Sequence, residues 1–170
     1  MAVLQIKGLD EYAKKIKTLS KNADSVMKRV VYDGGAVIAD AVKAGLKELP
    51  VEEGKNGLPL FGTPEAPITG VSRVQKGDLI DSMGLAPIQE FKQGYISTKL
   101  GWDGYSKMRT RKYPKGVPNQ LLMRSVENGT SFRKKNPIVR KSVAKARNTA
   151  IESMATRAEK EIKEEFKNGS

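Results

Sequence analysis

Two carboxylates three residues apart, Asp78 and Asp81 in Gly77-Asp78-Leu79-Ile80-Asp81-Ser82-Met83, are the residues best spaced for acid/base chemistry or for holding a cation. The competing reading is a pair of solvated acids on one helical turn, with Asp78 near its start where negative charge suits the helix dipole. The rest of the catalytic repertoire is thin. The chain has neither histidine nor cysteine, which rules out the serine triad, the Cys-His dyad, the HExxH metal helix and Cys-ligated zinc. No GxxxxGK[ST] or GxGxxG loop occurs. A hydrolase using Asp78 and Asp81 is thus the weakest of three functional readings, and no cofactor or metal is expected.

A different chemistry is concentrated further on. Between Asp103 and Arg147 stand thirteen Lys and Arg against two acids, Asp103 and Glu127, so this segment holds nearly all of the formal net charge of +12. In the stretch 103–119, Lys107, Arg109, Arg111, Lys112 and Lys115 are interleaved with Tyr105 and Tyr113. Cations beside aromatics can grip a phosphate backbone and stack on bases, meet an acidic protein surface, or form a solvated loop. Arg133, Lys134 and Lys135 form a second cluster, and Arg140 and Lys141 follow it.

The elements that must position these residues are read from periodicity. At 170 residues the chain fits one domain. It carries no apolar run of membrane-spanning length, and Met1 to Leu9 lacks the flank and core of a signal peptide. A soluble protein made in the cytoplasm is expected. After Val3, Leu4 and Ile6, Asp10 caps a short helix that ends near Ser20. Asn22 or Asp24 then caps a long one, with Ala23, Met27, Val30, Gly34, Val37, Ala41 and Ala44 on its stripe and Pro50 closing it. Gly34, Gly35 and Gly45 point to a closely packed backbone, in this chain or a neighbouring subunit, or to a local bend. The proline- and glycine-rich 50–77 predicts an extended loop.

Leu85 to Phe91 and Tyr95 to Trp102, joined by Lys92-Gln93-Gly94, read as a hairpin. Ile96, Thr98, Leu100 and Trp102 fall on one face, and Pro87 pushes the first strand to an edge. The loop 103–119 follows. Gln120 to Val126 reads as a third strand ended by Asn128-Gly129. Asn136 then caps a C-terminal helix over 137–167, opened by Pro137 and striped by Val139, Val143, Ala146, Ala150, Met154, Ala158, Ile162 and Phe166. Its charges run against its dipole, basic first and acidic last. The fold class is α+β: a small antiparallel sheet of three to four strands, two long helices, a short N-terminal helix and long loops.

This order resembles the neck or tail-completion proteins of long-tailed bacteriophages, the head-tail joining family often labelled a putative tail component. The resemblance is carried by Lys7-Gly8-Leu9-Asp10, by Gly77-Asp78-Leu79-Ile80-Asp81-Ser82, and by Val126-Glu127-Asn128-Gly129-Thr130 followed by Asn136-Pro137-Ile138. The chain departs from the family at Asn128 and Ile138, where aromatics are usual, and in its longer loops. The resemblance implies structural roles for Gly8, Leu79, Ser82, Glu127, Gly129, Thr130 and Pro137, and no catalytic residues. It also implies a homo-oligomeric ring, six-fold or twelve-fold, in the virion neck, joining head-closure or connector proteins to tail terminator or tail-tube proteins, with non-specific DNA contact in the channel and no membrane. The competing function is a stand-alone basic nucleic-acid-binding protein.

Overall fold

A computed structural model describes residues 9–92 and 95–168. The described chain is α+β, with helices α1 (Leu9–Lys47), α2 (Arg73–Asp81), α3 (Asn119–Asn128) and α4 (Ile138–Asn168) and strands β1 (Met83–Leu85), β2 (Gln89–Lys92), β3 (Tyr95–Ser97) and β4 (Leu100–Trp102). Val3, Leu4, Ile6, Gly8 and the Gln93-Gly94 tip of the expected turn lie outside the described residues.

The expected break near Ser20 does not occur: α1 is one helix of 39 residues, about 58 Å long at 1.5 Å per residue. Asp10 lies within it rather than capping it. Polar residues that signal a cap turn back on their own backbone only when nothing else claims them. Here Asn22 donates to Glu165 at 2.8 Å, and Arg29 donates to both oxygens of Glu161, at 2.9 and 2.6 Å. Tertiary pairing with α4 therefore carries the helix through the stop signal. The buried side of α1 is Val26, Val30, Val42 and Leu46, while Met27, expected inside, is 45% exposed.

Gly34 and Gly45 report the same pairing, whereas Gly35 faces Thr98 (3.1 Å) and Leu85 (3.3 Å). A Cβ on Gly34 would lie 2.5 Å from the Met154 sulfur, and one on Gly45 would lie 2.6 Å from the Ser142 hydroxyl and 3.0 Å from Ile138. The backbone packed against α1 is thus α4 of the same chain. Pairing with α1 also accounts for the acidic end of α4. Glu161, one of the acids of its last half, is buried between Arg29 and Arg157, the latter 2.8 Å away.

The proline-rich loop ends at Ser72, five residues before the expected Gly77. A capping box, in which the Gln75 N–H donates to Ser72 Oγ and the Ser72 N–H to Gln75 Oε1, starts α2 at Arg73. Asp78 consequently sits inside the helix, not near its start. The hairpin forms, in two pieces. β1 pairs antiparallel with β4, and β2 with β3, as two two-stranded sheets. Pro87 lies between β1 and β2, where no ladder bond is required of it. Trp102 is buried, and Tyr95 and Lys99 are exposed, as the alternation predicts, whereas Ile96, Ser97, Thr98, Leu100 and Gly101 are all half-buried whichever face they belong to.

The expected third strand is the helix α3. Leu122, Met123 and Val126 are buried at spacings of one and three residues, which one helix face accommodates, whereas the short apolar run Leu121-Leu122-Met123 reads equally well as part of a strand. With that segment helical, the four strands of the described residues form two two-stranded sheets instead of one sheet of three to four. The core gathers Val42, Leu46 and Leu49 beneath Leu79, Trp102 and α3.

Candidate functional site

The two carboxylates do not converge on a site. Asp78 is 5% exposed, and its Oδ2 accepts the Ser106 hydroxyl at 2.7 Å and the Lys107 N–H at 2.8 Å, while Asp81 is exposed. Among the described residues no group of three or more acids, His or Cys could hold a metal ion. The expectation of two solvated acids thus holds for Asp81 and fails for Asp78, which clips the root of the basic loop to α2. The Trp102 indole N–H reinforces that root by donating to the Leu79 carbonyl at 2.9 Å.

From this root the loop 103–118 closes on itself. The Ser106 N–H donates to Val117 O at 2.8 Å, and the Asn119 N–H to Gly104 O at 3.1 Å. Lys107, Arg109, Arg111, Lys112 and Lys115 are all exposed along it. The Lys107 ammonium stays 3.7 Å from Asp78, and that of Lys112 lies 5.8 Å from the Tyr113 ring centroid.

Arg133 requires a correction. Expected as a partner contact, it is 9% exposed, and its guanidinium donates to the Gly70 carbonyl. Burial lowers its pKa from the ordinary value, and the nearby Glu52 carboxylate opposes that shift. Glu52 is itself held below the usual carboxylate range, chiefly by the Thr69 hydroxyl. Backbone bonds from Ile68 N to Phe132 O (3.1 Å) and from Lys134 N to Ile68 O (2.8 Å) complete the seam. Arg133 therefore ties the end of the proline-rich loop to the 129–135 turn, and an arginine leading the run Arg133-Lys134-Lys135, whose two lysines are exposed, gives no sequence signal of this. Lys134, Lys135 and Lys141 remain exposed.

The other motif residues are architectural. Leu79 is fully buried. Ser82 ends α2, with its N–H on the Asp78 carbonyl at 3.0 Å. Gly129 takes φ 74°, ending α3 in the left-handed region that favours glycine, and Thr130 closes a tight turn with Arg133. Glu127, not Asn136, serves the start of α4: its carboxylate accepts the N–H groups of Val139 (2.9 Å) and Arg140 (3.1 Å). Arg140, a candidate contact, also donates to that carboxylate at 3.1 Å and to Asn128 at 2.7 Å. Pro137 accepts from the Lys141 N–H at 3.1 Å.

What sequence reasoning missed is a groove of about 730 Å³ between the proline-rich loop, the basic loop and α3. Ile68, Val117 and Leu122 lie along it, with Phe61, Leu121 and Phe132 at its margin and Arg111 and Lys112 on the basic-loop side. Phe61 is 82% exposed and Phe132 52%. The available signal was Leu58, Leu60 and Phe61, three large apolar residues in a segment with no periodicity to bury them. Among the described residues no helix is long and apolar enough to cross a membrane. No family model matches the chain, and neither a curated protein nor a solved structure does.

Proposed function

We propose that this chain is a structural, non-enzymatic subunit of a bacteriophage neck, assembling into a ring that joins the head connector to the tail. The observation that carries this reading is the pair of long loops, each rooted in the interior (Asp78 on Ser106, Arg133 on Gly70) and each presenting side chains that the chain leaves uncovered. A loop held at its root and apolar at its margin is suited to meeting another protein. The order of motifs resembling the neck family, several of them at helix ends and turns, supports the same reading. The ring, its connector and tail partners and its place in the virion all belong to this proposal.

Sizing with mass measurement, on the chain alone and mixed with connector and tail-end proteins, tests it. A defined oligomer in the mixture is expected, and a strict monomer under every condition overturns it. A stand-alone nucleic-acid-binding role is the second reading, favoured by the five exposed cations of the 103–118 loop. Its signature is tight duplex binding by the isolated chain that falls steeply with salt.

A further inference from the structure

We infer that the groove beside Phe61 and Phe132 is the docking site for an acidic, amphipathic segment of a different protein, its apolar side chains seated in the groove and its carboxylates facing Arg111 and Lys112. The groove is large enough: about 730 Å³ lies within the roughly 300–1,000 Å³ range of ligand-holding clefts. Its charge is one-sided, because Arg111, Lys112 and Arg133 line it and, among the described residues, no carboxylate does. Arg133 is committed to the Gly70 carbonyl, whereas Arg111 and Lys112 are exposed.

The apolar surface also extends past the groove. Leu58, outside the groove, is 57% exposed, and Leu60, on its wall, 41%, a spread that suits a polypeptide better than a small molecule. Exposed aromatics next to arginine are the residue types that anchor protein interfaces. A single-stranded nucleic acid would require cations tracking its backbone along the whole path with aromatic faces between them. Here the groove wall mixes aliphatic, aromatic and polar side chains, and its exposed cations sit on the basic-loop side alone instead of tracking the whole path.

The inference rests on the neck reading for where the partner is found, and one experiment separates the two. Phe61 is replaced by the photoreactive p-benzoylphenylalanine, and Phe132 in a second variant; infected cells are irradiated and the adducts sequenced by mass spectrometry. The expected adduct is a segment of another protein in which Asp or Glu flanks apolar residues. Arg111→Glu with Lys112→Glu should lower its yield at least ten-fold while leaving Trp102 emission and the melting midpoint of the purified chain unchanged. Adducts to this chain itself, to nucleic acid or to a segment without acids, no adduct from either position, or a yield indifferent to the charge reversal would each overturn the inference. Whether the chain co-purifies with particles is scored separately and bears only on the neck reading.

Discussion

The Glu127 carboxylate, at the end of α3, accepts the backbone N–H of Val139, in the first turn of α4, at 2.9 Å, and that of Arg140 at 3.1 Å. One side chain thus fixes the angle between two helices and places negative charge where the α4 dipole favours it. The cations crowding this helix start are then less anomalous than they look in sequence. Glu127→Ala should cost about 1–2 kcal/mol, the usual range for a lost cap. Urea denaturation followed by Trp102 emission measures it, and an unchanged midpoint would show the cap to be incidental.

Asp78 and Asp81 should respond very differently to replacement. Asp78→Ala removes the acceptor for both Ser106 and Lys107 and should destabilise by about 1.5–3 kcal/mol, the range for hydrogen bonds to a charged group. Asp81→Asn, at an exposed position, should stay within about 0.5 kcal/mol. Equal effects in thermal melts would contradict the clip described for Asp78.

The basic turn divides in the same way. Arg133→Met loses the bond to the Gly70 carbonyl and should weaken the fold by about 1.5–3 kcal/mol, loosening the proline-rich loop to protease. Lys134→Glu with Lys135→Glu changes two exposed residues and should leave the melting midpoint nearly unmoved; on the proposed neck role it should also lower the yield of infectious particles. Circular dichroism and plaque counts on the two variants tell the roles apart.

Gly116 has φ 98°, and a Cβ there would run into the Ser106 carbonyl. Gly116→Ala is therefore expected to destabilise by at least about 1 kcal/mol, against the gain such a change brings at a compatible site. Hydrogen exchange should show the protection lost first at the Ser106 amide, which bonds Val117 O at 2.8 Å.

The α1–α4 pair carries a pH dependence of known sign. The hydrogen bond from Arg29, then the charges of Arg29 and Arg157, hold the Glu161 carboxyl below its ordinary 4.5. A folded pKa below the unfolded one means that the contribution is complete above about pH 4.5 and is lost as pH falls through the folded value. Glu161→Gln should remove that part of the acid-side slope. Stability measured from pH 6 down to pH 3 checks it, and parallel curves for the two proteins would refute it.

The sequence by itself determined the α+β class, the start and extent of the C-terminal helix, the hairpin with its faces, and the loop regions, because each follows from local signals: proline at a helix start, period-two alternation, proline and glycine density. It also determined the absence of histidine and cysteine chemistry. Only the tertiary structure decided which signals lost. Asn22 stops no helix because Glu165 takes its amide, Gln120 to Val126 is helical because the core receives Leu122, Met123 and Val126 from one helix face, and Arg133 turns inward because Gly70 offers it a carbonyl. The groove was illegible for the same reason. Its walls are brought together from the proline-rich loop and from segments that follow the sheet, and no local pattern records that Phe61 and Phe132 share a surface.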